Sequence, residues 1–247
     1  MSALYGLVGR SLSHSFSGKY FAERFQEEHI QNVEYRLFPL ENIESLPRFL
    51  FQNIDLKGFN VTIPYKQSIL PYLDEVDAIA GAVGAVNVVK VERVGGRTRL
   101  LGYNTDVIGF EKSLQKLDYQ GKKCLLFGTG GAAAAVSYVL KEKHVAFEMV
   151  SRSAKENVLT YEELTPEMIA GHELLVNATP LGMYPEVEHR PHIPYEGITP
   201  SHLLMDLIYN PEMTAFMREG IVRGACAMNG MTMLVEQAVA SRKIWGF

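Results

Sequence analysis

Cys124-Leu125-Leu126-Phe127-Gly128-Thr129-Gly130-Gly131-Ala132-Ala133 is the stretch on which the fold turns. An apolar strand runs into a tight glycine turn and then into a small-residue segment that reaches Val139. That order makes an anion site, because backbone N–H groups and the positive end of the helix dipole face whatever sits in the turn. A pyrophosphate suits such a turn. The spacing departs from G-x-G-x-x-G, since Gly131 and then alanines follow the first Gly-x-Gly. By itself the run also reads as an ordinary glycine-rich strand–helix junction.

Outward in both directions, strand-like and helix-like stretches alternate, which predicts an α/β fold with mostly parallel strands. On the N-terminal side the pattern gives strands near 3–9, 33–38, 56–61, 85–91 and 97–103. Helices are expected near 17–29, 42–51, 64–71 and 74–81. Gly95-Gly96 reads as a hairpin turn, so this half holds a mixed sheet. A helix over 105–118 is the natural linker to strands near 122–127, 145–150, 173–177, 203–207 and 222–227. Helices near 131–142 and 211–219 lie among those strands, and a final helix over 229–244 has an apolar face that suits a return to the first half. The expectation is two domains, 1–103 and 104–230, with a C-terminal helix (231–247) packing back onto the first. The active site is expected in the cleft between them.

The 247 residues are 47% apolar and 21% charged, the balance of a soluble globular protein. A net charge of −4 gives no nucleic-acid footprint. No apolar run approaches a membrane span, and the start of the chain lacks a signal-peptide pattern. Cys124 and Cys226 both fall in apolar strand-like runs, which suits buried reduced thiols and a cytoplasmic setting.

Polar groups cluster at or beside strand ends, where open α/β sheets build their sites. In Gly9-Arg10-Ser11-Leu12-Ser13-His14-Ser15-Phe16-Ser17 a serine can cap the following helix, and two hydroxyls at i, i+2 can equally hold a carboxylate. In Gly58-Phe59-Asn60-Val61-Thr62-Ile63-Pro64-Tyr65-Lys66 the lysine falls in the first turn of a helix, where the dipole disfavours it. Gly84-Ala85-Val86-Asn87 and Gly102-Tyr103-Asn104-Thr105-Asp106 follow. Asp106 suits a helix start, and beside Lys66 it would be half of a proton-handling pair.

Together with Asn177-Ala178-Thr179-Pro180-Leu181-Gly182-Met183, Asp206-Leu207-Ile208-Tyr209-Asn210-Pro211 and Asn229-Gly230-Met231-Thr232-Met233-Leu234-Val235-Glu236-Gln237, these stretches resemble the shikimate dehydrogenase family in order over nearly the whole chain. The resemblance implies a mixed α/β substrate domain and a shortened Rossmann-like dinucleotide-binding domain. It implies NADPH-dependent, reversible reduction of 3-dehydroshikimate to shikimate, a step of aromatic amino acid biosynthesis. By that resemblance Lys66 and Asp106 are catalytic. Ser15, Ser17 and Tyr209 grip the substrate carboxylate, and Thr62, Asn87, Asp106 and Gln237 serve the ring hydroxyls. NADP would be held by Gly128, Thr129, Gly130, Gly131 and Ala132, by Ser151, Arg152, Ser153 and Lys155, and by Thr179, Leu207, Gly230 and Met233. Met183 and Met231 would border the nicotinamide with Met233.

After the strand ending at Val150, Ser151-Arg152-Ser153-Ala154-Lys155 stands where NAD-preferring proteins put an acid on the ribose diol. An arginine with a hydroxyl and a lysine favours a 2′-phosphate by charge and bidentate geometry. The family pattern there is Asn-Arg-Thr. Two departures stand out. Ser17 is followed by Gly18-Lys19-Tyr20-Phe21-Ala22 where the family has a differently built helix start, and the segment from Ser153 to His172 is short. One helix and a small strand are expected to be missing on the adenosine side, weakening NADP binding. The alternatives are a quinate or quinate/shikimate dehydrogenase using NAD, and a catalytically silent nucleotide or metabolite sensor. Glu186, Glu188, His189 and His192 can be drawn as metal ligands, but no metal is expected. A small-molecule substrate, no nucleic acid or membrane partner, and a monomer or homodimer are expected.

Overall fold

A computed structural model describes residues 3–12 and 15–247. The chain divides into two compact units, residues 1–105 with 238–247, and residues 106–237. The first unit runs β1 (Ala3–Gly9), α1 (Phe16–Glu27), β2 (Val33–Pro39), α2 (Leu46–Gln52), β3 (Leu56–Val61), α3 (Tyr65–Ser68), β4 (Glu75–Val76), α4 (Ala78–Val83), β5 (Val88–Val94) and β6 (Arg97–Tyr103). Its sheet has the order β2-β1-β3-β5-β6-β4. β1 is parallel to β2 and β3, whereas β5 is antiparallel to β3 and to β6. The mixed sheet is thus present, and the hairpin closes at Val94↔Arg97 around Gly95-Gly96.

Helices here are shorter than the periodicity suggests, for local reasons. Pro47 lies in the first turn of α2, after a 3-10 turn at Ile43–Ser45. The expected 64–71 helix stops at Ser68, and Pro71 falls in a separate 3-10 turn, Leu70–Tyr72. The expected 74–81 helix opens instead with β4 against β6, and Asp77 caps α4 by accepting Ala80 N at 2.9 Å.

The core of this unit joins Val8, Phe59, Val61, Val89 and Leu100. The chain's last residues close it. Trp245 donates its indole N–H to Val89 O at 3.1 Å and packs 4.9 Å from Tyr5, while Phe21 stacks on Tyr35 at 4.2 Å. Arg242 forms a bidentate ion pair with Glu28. Burying an aromatic of that size is worth about 2–3 kcal/mol before packing terms.

The second unit runs α5 (Asp106–Leu114), β7 (Cys124–Phe127), α6 (Gly131–Glu142), β8 (Phe147–Ser151), β9 (Leu159–Thr160), α7 (Pro166–Ala170), β10 (Leu174–Asn177), β11 (Leu203–Asp206), α8 (Ala215–Ile221), β12 (Cys226–Met228) and α9 (Met231–Trp245). The sheet order is β12-β11-β10-β7-β8-β9, with every pairing parallel. Strand order reverses between β7 and β10, the switch point at which such sheets bind ligands. β7 and β10 are buried along their whole length, which is why they read as unbroken apolar runs.

α9 is divided between the two units: its residues up to Gln237 cluster with the second and those from Ala238 with the first. Its first turns pack on α5, where a Cβ on Gly109 would lie 2.5 Å from Met233 O. Two expectations need correction. The small strand expected to be missing is present as β9, joined to β8 by residues 152–158 without a helix. β9 is kept because Leu159 within it and Tyr161 just after it pack on the core around Phe127 and Val150. Cys226 is exposed, since it heads the edge strand β12, whereas Cys124 is buried. No helix among the described residues is long and apolar enough to cross a membrane.

Candidate active site

In the first unit the polar residues gather where β1 and β3 end. Thr62 N donates to Val8 O (2.9 Å) and Arg10 N to Ile63 O (3.3 Å), so the two chains leave the sheet side by side. Ser15 caps α1, its Oγ accepting Ser17 N at 3.3 Å. A hydroxyl that accepts at oxygen still carries its own proton to donate, so the cap and a carboxylate contact are compatible. Ser13 and His14 of this run lie outside the described residues. Thr62 is half-buried, and so is Lys66.

Lys66 sits in α3, a single turn of four residues that begins after Pro64 with no side-chain cap. A lysine is not disfavoured there as the sequence implied, because one turn sums few peptide dipoles. What anchors the lysine's backbone is Lys66 O, which accepts Val86 N at 2.7 Å. The next residue, Asn87, is buried. Its Oδ1 accepts Thr105 N at 2.7 Å and its Nδ2 donates to Thr105 Oγ1 at 3.0 Å. Behind it Asn60 Nδ2 donates to Ser241 Oγ (3.0 Å) and to Asn87 O (3.3 Å), while Asn60 Oδ1 accepts the Tyr35 hydroxyl at 2.8 Å. Ser241 Oγ lies 3.3 Å from Thr105 Oγ1. Asp106 follows Thr105 directly, is buried, and opens α5, where a carboxylate is favoured.

Asn60, Thr105 and Ser241 shape this site although the sequence assigns them no role. Asn60 carried a signal, a polar residue inside a buried strand. Ser241 carried none, because a serine on a helix is common.

In the second unit the glycine turn forms as the sequence implies. Gly128 has φ of +111° and a Cβ there would lie 3.1 Å from Ala178 O, so the turn needs glycine. Gly130 stands at the N-cap of α6, with no side-chain cap and nothing within 4 Å of where its Cβ would be. The first N–H groups of this 12-residue helix thus have no capping oxygen from the chain's own N-cap. Arg152 and Lys155 are exposed on the loop after β8, and Lys155 Nζ donates to Thr129 Oγ1 at 3.0 Å. The Ser151 hydroxyl is turned inward, bonded to the Ser153 backbone, so it shapes the loop. The donors here are N–H groups and cations, and they fit a dinucleotide carrying an extra phosphate.

At the switch point Asn177 and Asp206 end β10 and β11. Thr179, Leu207 and Tyr209 follow them, each half-buried. Gly230 N donates to Ile208 O at 2.9 Å, Met233 is buried, and Gln237 Nε2 donates to Leu234 O at 2.9 Å. His189 pairs with Glu186 at 3.1 Å, and no group of three or more metal-ligating side chains gathers among the described residues.

A family profile described as the shikimate dehydrogenase substrate binding domain matches residues 7–89. The NADP(+) shikimate dehydrogenase of Desulforamulus reducens is 35% identical over 97% of this chain and 88% of its own. The shikimate dehydrogenase of Thermus thermophilus, solved with NADP(H) and shikimate, is 28% identical with a TM-score of 0.86, covering all of this chain and 94% of that one. A quinate dehydrogenase of Corynebacterium glutamicum, solved with NAD, is 25% identical with a TM-score of 0.83 over 99% of this chain and 94% of that one. With its substrate-domain profile, its parallel Rossmann-like sheet and relatives of this identity along nearly its whole length, the chain belongs to the shikimate dehydrogenase family.

Proposed function

We propose that this chain interconverts 3-dehydroshikimate and shikimate with NADPH and NADP⁺, with Lys66 and Asp106 handling the hydroxyl proton. One observation carries the assignment of residues. Lys66 O holds Val86 N, and the adjacent Asn87 holds Thr105 N, which is adjacent to Asp106. The Lys66 backbone, the Asn87 amide and the residue before Asp106 thus lie along one run of hydrogen bonds and neighbouring residues.

Bound NADPH supplies the hydride. As the ketone carbon becomes a carbinol, its oxygen develops negative charge, and the Lys66 ammonium stabilises that charge and delivers the proton to it. In the opposite direction the amine of Lys66 takes the proton back. The carboxylate of Asp106 orients the ammonium, and the two act as a coupled pair. Ser15, Ser17 and Tyr209 hold the substrate carboxylate by O–H donation, while Thr62, Asn87 and Gln237 set the ring hydroxyls. Arg152 and Lys155 meet the 2′-phosphate, with the N-terminus of α6 and its glycine turn on the pyrophosphate. We further propose a cytoplasmic monomer or homodimer.

The test follows the absorbance of the reduced nicotinamide, NADPH or NADH, with each pairing of shikimate or quinate and NADP⁺ or NAD⁺. Shikimate with NADP⁺ is expected to be fastest. Faster turnover of quinate with NAD⁺ would favour the second family activity. Shikimate binding by calorimetry with no reduction of either cofactor would mark a silent sensor.

A further inference from the structure

β10 and β11 each end in a polar residue with no exposed surface, Asn177 and Asp206. A buried carboxylate is costly unless its lone pairs are satisfied. Here Asp206 Oδ1 accepts Asn177 Nδ2 at 3.1 Å and Ile208 N at 3.0 Å, and Oδ2 accepts the Thr214 hydroxyl at 2.7 Å. Thr214 in turn caps α8, its Oγ1 accepting Met217 N at 3.2 Å. Asn177 spends the rest of its amide on the neighbouring loop: Oδ1 accepts Thr179 N (3.1 Å) and Oγ1 (2.6 Å), and Nδ2 also donates to Leu181 O (3.3 Å). One carboxylate thereby joins the 178–181 loop, the 207–209 segment and the start of α8.

The same segment is held from its other side by backbone. Gly230 N donates to Ile208 O, and any Cβ at Gly230 would lie 2.1 Å from Leu207 O. Leu207 and Ile208 are gripped between that glycine and Asp206, and Tyr209 is the next residue along. An apolar residue at 206 would be cheaper to bury, but it offers none of the three acceptor directions. Burial pushes the Asp206 carboxyl up to about 6, against the hydrogen bonds from Thr214, Ile208 N and Asn177. That is a cost borne at a strand end whose loops carry the proposed substrate and nicotinamide contacts.

We infer that Asp206, with Asn177 and Thr214, is a positioning residue that sets Tyr209 and the Thr179 turn for the dehydrogenase reaction. This rests on the function proposed above. Catalytic groups held about 1 Å out of place lose much of their effect, so the support counts as much as the contact.

The experiment compares wild type with Asp206→Ala, Asp206→Asn and Thr214→Val. It measures melting temperature, kcat, KM for shikimate, and calorimetric binding of shikimate without cofactor. For Asp206→Ala, KM and the calorimetric Kd for shikimate should rise on the order of tenfold, more than kcat falls. Asp206→Asn keeps the Oδ1 acceptor and can donate to Thr214 Oγ1, so it should recover most of that loss. Thr214→Val should shift KM in the same direction by a smaller factor.

A lowered melting temperature in Asp206→Ala with wild-type KM on the folded enzyme would overturn the inference. So would Asp206→Asn being as impaired as Asp206→Ala, since the acceptor geometry would then be irrelevant. If Asp206→Ala does not fold, an unchanged KM in Thr214→Val overturns it instead. A wild type that neither binds shikimate nor reduces NADP⁺ would overturn the proposed function and this inference with it.

Discussion

Asn87 in the first unit and Arg152 in the second are assigned to the two ends of one reaction, and their surroundings differ. Asn87 is 2% exposed, its amide bonded to the backbone and hydroxyl of Thr105 with Asn60 and Ser241 behind. Arg152 stands in water on a seven-residue crossover, 152–158, without a helix to brace it. The difference teaches where each kind of selectivity comes from. A buried amide fixed by hydrogen bonds discriminates by geometry and pays heavily for any change. An exposed guanidinium discriminates by charge, works through a mobile side chain, and is screened by salt.

The comparison breaks most sharply at Lys66, whose backbone is tied to the buried side. Lys66→Ala should lower kcat for NADP⁺ reduction by shikimate roughly 10²–10⁴-fold while leaving circular dichroism unchanged. Near-wild-type turnover would remove the proposed chemistry.

Asp206 extends the buried class to the second unit, and there pH is the probe. Its folded carboxyl is raised from 3.8 to about 6 by burial, so the native state binds more protons than the unfolded chain between those values. Stability attributable to this group is therefore fully present below pH about 4 and lost as pH rises through about 6, in total on the order of 3 kcal/mol. Denaturant melts of Asp206→Asn should lack that part of the slope. An identical pH profile in both proteins would show that the carboxylate does not sense its burial.

Asn87→Ala leaves the buried Thr105 N–H without its acceptor, and should destabilise by about 1–3 kcal/mol in urea melts as well as raising KM for shikimate. A change confined to KM would mean that water enters to satisfy Thr105. The smallest effect belongs to the exposed side. Arg152→Ala should raise KM for NADP⁺ about tenfold, less at high salt, with NAD⁺ unaffected and melting unchanged. An equal loss with both cofactors would move Arg152 from phosphate recognition to loop structure.

How much could be read in advance follows the same division. The glycine turn, the alternation of elements and the Gly95-Gly96 hairpin were legible because each depends on residues adjacent in the chain. Helix ends were less so. A proline at position 71 and an aspartate at 77 redirected helices that periodicity alone extends. The edge strand β9 was missed because two residues carry no period, and it exists only because Leu159 and Tyr161 cover a core assembled elsewhere. Asn177 and Asp206 were visible as polar ends of apolar runs, but nothing local says that they bond to each other across 29 positions.

Residue type and order alone determined the class of fold and the glycine turn, and they singled out Lys66, Asp106, Arg152 and Lys155 as candidates for proton transfer and phosphate binding. These are properties of short segments, where backbone geometry and charge are set by neighbours in sequence. Only tertiary structure decided that Ser241, from the last helix, lies against Asn60 and Thr105, that α9 is shared between two compact units, and that a buried aspartate ties two loops and a helix start. Such hydrogen bonds join residues far apart in the chain, and their partners are chosen by which strands lie side by side once the apolar surfaces are buried.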